Sequence, residues 1–412
     1  MRRLFKIIFL AVILIEAVLG SSIKTEAAAS WDNGSKEKMT KGAFTYHYLT
    51  TKDKKKCWIY KVTIDSNKGS TKVLVFPSKI NKIPVTRLGV LEPIEPVDEA
   101  MISEGEETIF GTLVEDFHDY AETLKEIDCI KEMFLPASLE EINDACFAGM
   151  KGIEKILIPD KVTRINRLIF YKCDRLEEVK LPAAMKKFET KAFMSCKRLK
   201  KISLPKQNGN YRCSHGMVCS KGGKVLYWVA PGMKGTVKVP GKITKIKENA
   251  MSECKANKVI IGENVKSIAA HALDISTLKT IQLSKKNKQY GYDKRCIYSK
   301  VSGRLVVGIV YKEKLTISNK VTVLKKKASV AGGYVSKLVV PKSVKRLETD
   351  WMEMFSDNPK RLYFKGMTPP VVEGSAQVPV FAKYYVPKKA LPAYLKWAKK
   401  NNVLEDNEFF GV

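Results

Sequence analysis

The sequence predicts a mostly β, right-handed solenoid: coils of about 23 residues stack through short strands, joined by turns and 3-10 segments, with β-hairpins inserted in two of the coils. Three observations predict it. Residues 137–159, 160–182 and 183–205 are consecutive units of 23 residues, each closing on an aliphatic residue and a proline. Equivalent positions keep their character: Ile142, Ile165 and Phe188; Phe147, Phe170 and Phe193; Ile153, Leu176 and Leu199. Asn208, Tyr211, Ser220 and Leu226 recur 79 residues later as Asn287, Tyr290, Ser299 and Leu305, so a longer block has been duplicated.

Each part of the coil has a physical reason. Leu176, Val179 and Leu181 alternate with polar residues, which makes a short strand with one buried face, and Pro182 then stops it. A second apolar pair, Val162 with Ile165 or Ile243 with Ile246, belongs to the return side. One coil cannot bury its own apolar face, so coils must stack, with atypical caps at both ends. After Pro205 the unit ends fall at Pro240, Gly262, Ser284, Ser318 and Pro341, and two of the steps carry an extra dozen or so residues. These extra pieces alternate apolar residues about the Gly-containing turns at 221–224 and 301–304 and read as projecting hairpins.

The divisions along the chain follow from the same reading. Residues 1–20 pair a cationic start with the apolar run from Leu4 to Leu19 and read as a signal peptide cleaved near Gly20, with the run Ala27 to Ala29 a second choice. Residues 21–43 read as a flexible linker, 44–89 as an N-terminal coil and cap, and 90–128 as an acidic insertion. The array proper is 129–365, with hairpins near 208–232 and 287–311, and 366–412 is the C-terminal cap.

Units such as the one containing Val162, Ile165, Phe170, Cys173, Leu176, Val179, Leu181 and Pro182 resemble the BspA-type leucine-rich repeats of bacterial surface proteins. The segment from Lys365 through Pro369 and Pro370 to Tyr384, Pro387, Tyr394 and Trp397 looks like that family's C-terminal cap. The resemblance implies a leucine-rich-repeat solenoid that is secreted or held at the cell surface. It also implies a role in adhesion or protein recognition rather than one particular chemistry.

Composition narrows the partner. The chain has 412 residues, 73 Lys plus Arg against 43 Asp plus Glu, and a formal charge of +30, which attracts polyanions. Its 45% hydrophobic content excludes a disordered or multi-span chain. Charge is also polarised: residues 90–128 hold 13 acidic residues against Lys125 alone, whereas 129–412 hold 55 bases and 24 acids. That segment reads as a solvated insertion or as a flap over the basic array.

Outward strand residues should form ladders. The candidate ligand-binding face comprises Lys155, Lys201, Lys238, Lys258, Lys314, Lys337, Arg361 and Tyr363, where bases alternate with apolar positions. The same lysines would also keep a sheet edge from aggregating. No zinc-protease, esterase-elbow or phosphate-loop motif occurs, and no catalytic residue, cofactor or metal is expected. Cys213, His215 and Cys219 form the one cysteine–histidine cluster, open to three readings: separate thiols, a local disulfide, or a zinc site lacking a fourth ligand.

The expectation is therefore an exported, non-enzymatic adhesin or recognition module that binds a protein, an anionic polysaccharide or a wall polymer. The alternative is a structural wall protein held by charge on anionic polymers. A nucleic-acid partner is not favoured, because no stacking platform or groove-reading helix is evident.

Overall fold

The computed structural model describes residues 31–32, 36–70, 72–89, 128–325, 328–355, 357–373, 382–403 and 407–412. Residues 1–20, read above as a signal peptide, and residues 90–127 of the acidic insertion lie outside the described residues. The described chain is a β-solenoid of stacked coils, and Leu391–Lys400 is its only α-helix. No helix among the described residues is long and apolar enough to cross a membrane.

Each coil contributes to two parallel sheets. Strands Lys155–Leu157, Glu178–Lys180 and Lys201–Ser203 pair in register on one side, and Arg164–Ile165 pairs with Lys187–Phe188 on the other. Alternation decides what faces inward: Ile156, Val179 and Ile202 are buried while their neighbours face out. Full burial of such a side chain is worth about 1.5–3 kcal/mol, and it is available only against the next coil. Between the sheets, Phe147, Phe170 and Phe193 form a column with centroids 5.4 and 5.5 Å apart. Cys173 and Cys196 sit beside it and donate from Sγ to the carbonyls of Phe147 and Phe170, at 3.2 and 2.9 Å. The recurrent cysteine is thus a packing residue that also ties each coil to the one before.

The two extra pieces are three-stranded antiparallel meanders, Tyr211–Ser214, Met217–Ser220 and Val225–Val229, then Tyr290–Asp293, Cys296–Ser299 and Leu305–Ile309. They do not simply project. The third strand of each runs parallel to a strand of the following coil, Val225 beside Lys245 and Val307 beside Ser329. The reason is apolar: Trp228, fully buried, caps the phenylalanine column 5.5 Å from Phe193 and 5.8 Å from Phe188.

A buried asparagine starts each meander. Asn208 donates from Nδ2 to the carbonyls of Ala183 and Met185 and accepts at Oδ1 from the amides of Asn210 and Tyr211. Asn287 repeats the set with Gly262, Val265, Gln289 and Tyr290. All four hydrogen-bonding capacities of the amide are used inside the protein, which is what a buried polar group requires.

One expectation changes. The linker expected through residue 43 contains strand Glu37–Lys41, which pairs antiparallel with Phe44–Thr50. Its residues are almost all charged or polar, so it carries no alternation signal, and its conformation comes from the neighbouring strand. Strands Lys383–Val386 and Glu408–Gly411 extend the sheet of Lys314–Thr316, Lys337–Val340 and Arg361–Phe364.

Candidate ligand-binding face

Beyond the two-strand pair Val73–Val75 and Glu132–Phe134, the outward residues form three separate ladders rather than one strip, with breaks where the meanders enter. In the first, Lys155, Glu178 and Lys201 stand in register, and Lys201 Nζ lies 3.1 Å from Glu178. In the second, Thr236, Lys258 and Thr280 form one column, and Lys238, Ile260 and Gln282 the other. Lys238 and Lys258 therefore occupy different columns. In the third, Lys314, Lys337, Arg361 and Lys383 are aligned on four adjacent strands, and Glu408 stands on the fifth.

The third ladder differs in its second column as well. Thr316, Val339, Tyr363, Tyr385 and Phe410 are aligned there. Tyr363 and Tyr385 stack at 4.4 Å with an 8° interplanar angle, and Tyr385 stacks on Phe410 at 5.3 Å. Lys337 Nζ lies 3.9 Å from the Tyr363 centroid and Lys365 Nζ 5.8 Å, so both ammonium groups gain from the ring quadrupole. Six residues read from the sequence, Lys155, Lys201, Lys258, Lys314, Lys337 and Arg361, thus share the first-column position, and Lys238 and Tyr363 belong to the column beside it. Lys383, Tyr385 and Phe410 were missed. Their signal was present in Lys383 and Tyr385, which repeat the base-then-tyrosine spacing of Arg361 and Tyr363.

A different exposed surface lies at the other end of the array. Val75 and Phe134 are aligned in register and are 42% and 53% exposed, and Leu157 on the following coil is 55% exposed. Near it, Trp31, Lys52, Lys56, Arg87, Glu140 and Glu141 line an open cleft of about 590 Å³, where Lys56 and Glu140 pair at 2.6 Å.

The cysteines hold no constellation. All nine are free thiols, so Cys213 and Cys219 are separate. Burial pushes the Cys213 thiol up to about 12 and the Cys219 thiol to about 11, which leaves neither as a thiolate nucleophile at neutral pH. His215 instead contacts Ser214 through Nδ1 at 2.7 Å. His271 pairs with Asp274 at 2.7 Å, and Asp274 accepts from the amide of Val330 at 3.1 Å, which ties one coil turn to the strand after the second meander. Among the described residues no group of three His, Cys, Asp or Glu side chains could hold a metal ion.

A family model described as the BspA-type leucine-rich repeat region matches six copies, over residues 120–214 and 234–300. No curated protein matches the chain. Among solved structures it is similar to a leucine-rich cell surface protein of Faecalibacterium prausnitzii, at 14% identity and TM-score 0.36, over 80% of this chain and 94% of that one. It is similar to the pneumococcal vaccine antigen PcpA at 14% identity and TM-score 0.42, over 91% and 98%. A leucine-rich repeat protein of Eubacterium ventriosum matches at 14% identity and TM-score 0.35, over 76% and 93%. The six repeat copies carry the assignment, and the solved structures add nothing about a ligand. With their 23-residue period, two parallel sheets and internal phenylalanine column, the coils within residues 120–214 and 234–300 are leucine-rich repeats of the BspA type.

Proposed function

We propose that the protein is an exported, non-enzymatic binding module that recognises a macromolecule through the outward strand face of its solenoid and the adjoining meanders. One observation carries the reading: the third ladder sets four bases and three aromatic rings in register on the outside of the sheet. Solvated lysines scattered for solubility have no need of such alignment. The apolar run from Leu4 to Leu19 supports export to the cell surface or medium.

The test is binding to intact bacterial walls, to host matrix proteins and to glycosaminoglycans, at low and at moderate salt. A recognition surface should keep most of its affinity for one partner. The second reading, a wall protein held by charge alone, is favoured by the net charge of +30. It requires indiscriminate attachment to anionic surfaces that falls about tenfold or more as salt approaches physiological strength, where the Debye length is about 8 Å. Binding to nothing on the panel would overturn both readings.

A further inference from the structure

We infer that the third ladder is a binding strip for a linear polysaccharide whose sugar rings carry sulfate or carboxylate groups. The inference rests on the binding role proposed above and names the ligand class for that role.

The charge column gives the first reason. Like charges directly opposite on paired strands oppose strand pairing. Lys314, Lys337 and Arg361 nevertheless stand on consecutive strands, and among the described residues none of the three makes an ion pair. The first carboxylate in the column is Glu408, which lies 3.3 Å from Lys383. A row of cations about 4.8 Å apart without an anion among them is completed by an anionic chain laid along it.

The ring column says which kind of anionic chain. The faces of Tyr363 are covered by Lys337 and Tyr385, and Tyr385 lies between Tyr363 and Phe410. Bases of a single-stranded nucleic acid need open ring faces on which to stack, and these are closed. What the column presents instead is a row of ring edges and two phenol hydroxyls. The hydroxyls of Tyr363 and Tyr385 make no hydrogen bond among the described residues, so both can reach sugar hydroxyls, while the ring edges line sugar C–H groups. A bare phosphate polymer would use the cations and could accept from the hydroxyls, but it has no sugar C–H surface for the ring edges to line. The strip is also two columns wide and five strands long, or roughly 20 Å, which suits a single unbranched chain better than a protein face that needs about 800 Å² per partner.

The test uses a size-defined heparin oligosaccharide, with dextran as the uncharged control and polyphosphate as the charge-only control, at physiological salt. Lys337→Glu with Arg361→Glu should weaken heparin binding by about thirtyfold or more, whereas Lys155→Glu with Lys201→Glu in the first ladder should change it by less than about threefold. Tyr363→Phe with Tyr385→Phe keeps the stack and removes only the hydroxyls. It should weaken heparin by about threefold to tenfold and polyphosphate by less than that. Thermal melting of each variant confirms that the fold survives. Equal effects of the two charge reversals would overturn the inference, as would polyphosphate binding as tightly as heparin with the Tyr→Phe pair silent. Binding of a matrix protein but not heparin would also overturn it while leaving the binding role intact, and binding of nothing on the wider panel would remove that role too.

Discussion

The coils at 155–203 and those at 314–411 are built from the same short parallel strands, yet they use aromatic residues in opposite ways. In the first region the rings are inside, as the column Phe147, Phe170 and Phe193, and the outer face neutralises itself through Lys201 and Glu178. In the second, neighbouring residues build two columns at once: Phe364, Tyr384 and Phe409 face inward, and Tyr363, Tyr385 and Phe410 face outward. Alternation along a strand makes this possible, because consecutive side chains point to opposite faces. The inner column is what any stacked coil needs. The outer one contributes far less to stability, since an exposed cross-strand pair is worth about 0.2–1 kcal/mol.

The largest effect that tests this contrast is on unfolding. Phe170→Ala should cost about 3–5 kcal/mol in denaturant melts, because it leaves a cavity between two stacked rings. Tyr385→Ala should cost only about 1 kcal/mol. If the two costs match, the outer column is structural and the contrast collapses.

A middle-sized effect comes from exchanging the ladders' charge patterns. Glu178→Lys would align three bases beside Lys155 and Lys201, costing about 0.5–1 kcal/mol while creating heparin retention in the first ladder. Arg361→Glu would interrupt the third ladder, with retention falling and stability holding or rising. Retention that follows neither change would mean that the register of bases in these ladders does not govern binding.

The smallest effect concerns another register of bases. In the N-terminal sheet Lys38, His47 and Lys61 stand opposite one another. Burial first, then Lys61 and Lys38, hold the His47 pKa below its usual value of 6.5. The unfolded chain therefore takes up the proton before the folded one does. His47 leaves stability untouched above pH 6.5 and lowers it as pH falls below that value. A slight drop in melting temperature from pH 7 to pH 5, smaller in a Lys61→Gln variant, is expected, with heparin binding at the third ladder flat over the same range. A drop that is undiminished in the variant would separate this register from the stability change.

Much of this organisation was legible in the sequence because the coil is short and strict. Leu176, Val179 and Leu181 fix a strand and its inward face, and the 79-residue recurrence of Asn287 and Tyr290 locates the second meander. What escaped did so for physical reasons. Columns counted by spacing assume unbroken stacking, whereas the meanders enter the wall and divide the ladder into three. Tyr385 and Phe410 lie on either side of helix Leu391–Lys400, so the strand that carries Phe410 sits outside the period. Strand Glu37–Lys41 has no buried face to announce it.

The paired asparagines have a consequence for length. Asn208 and Asn287 make the same four bonds in the same surroundings, so the coil before each is an equivalent landing surface for a meander. The 79 residues from 208 to 286 are then a unit of reach. Removing them would join the coil ending at Pro205 to the meander of Asn287 and draw the tyrosine strip about 14 Å, three strand spacings, nearer the N-terminal sheet. Adding a copy would move it as far the other way, so the distance at which this protein presents its strip is set in whole steps, like the rungs of an extension ladder.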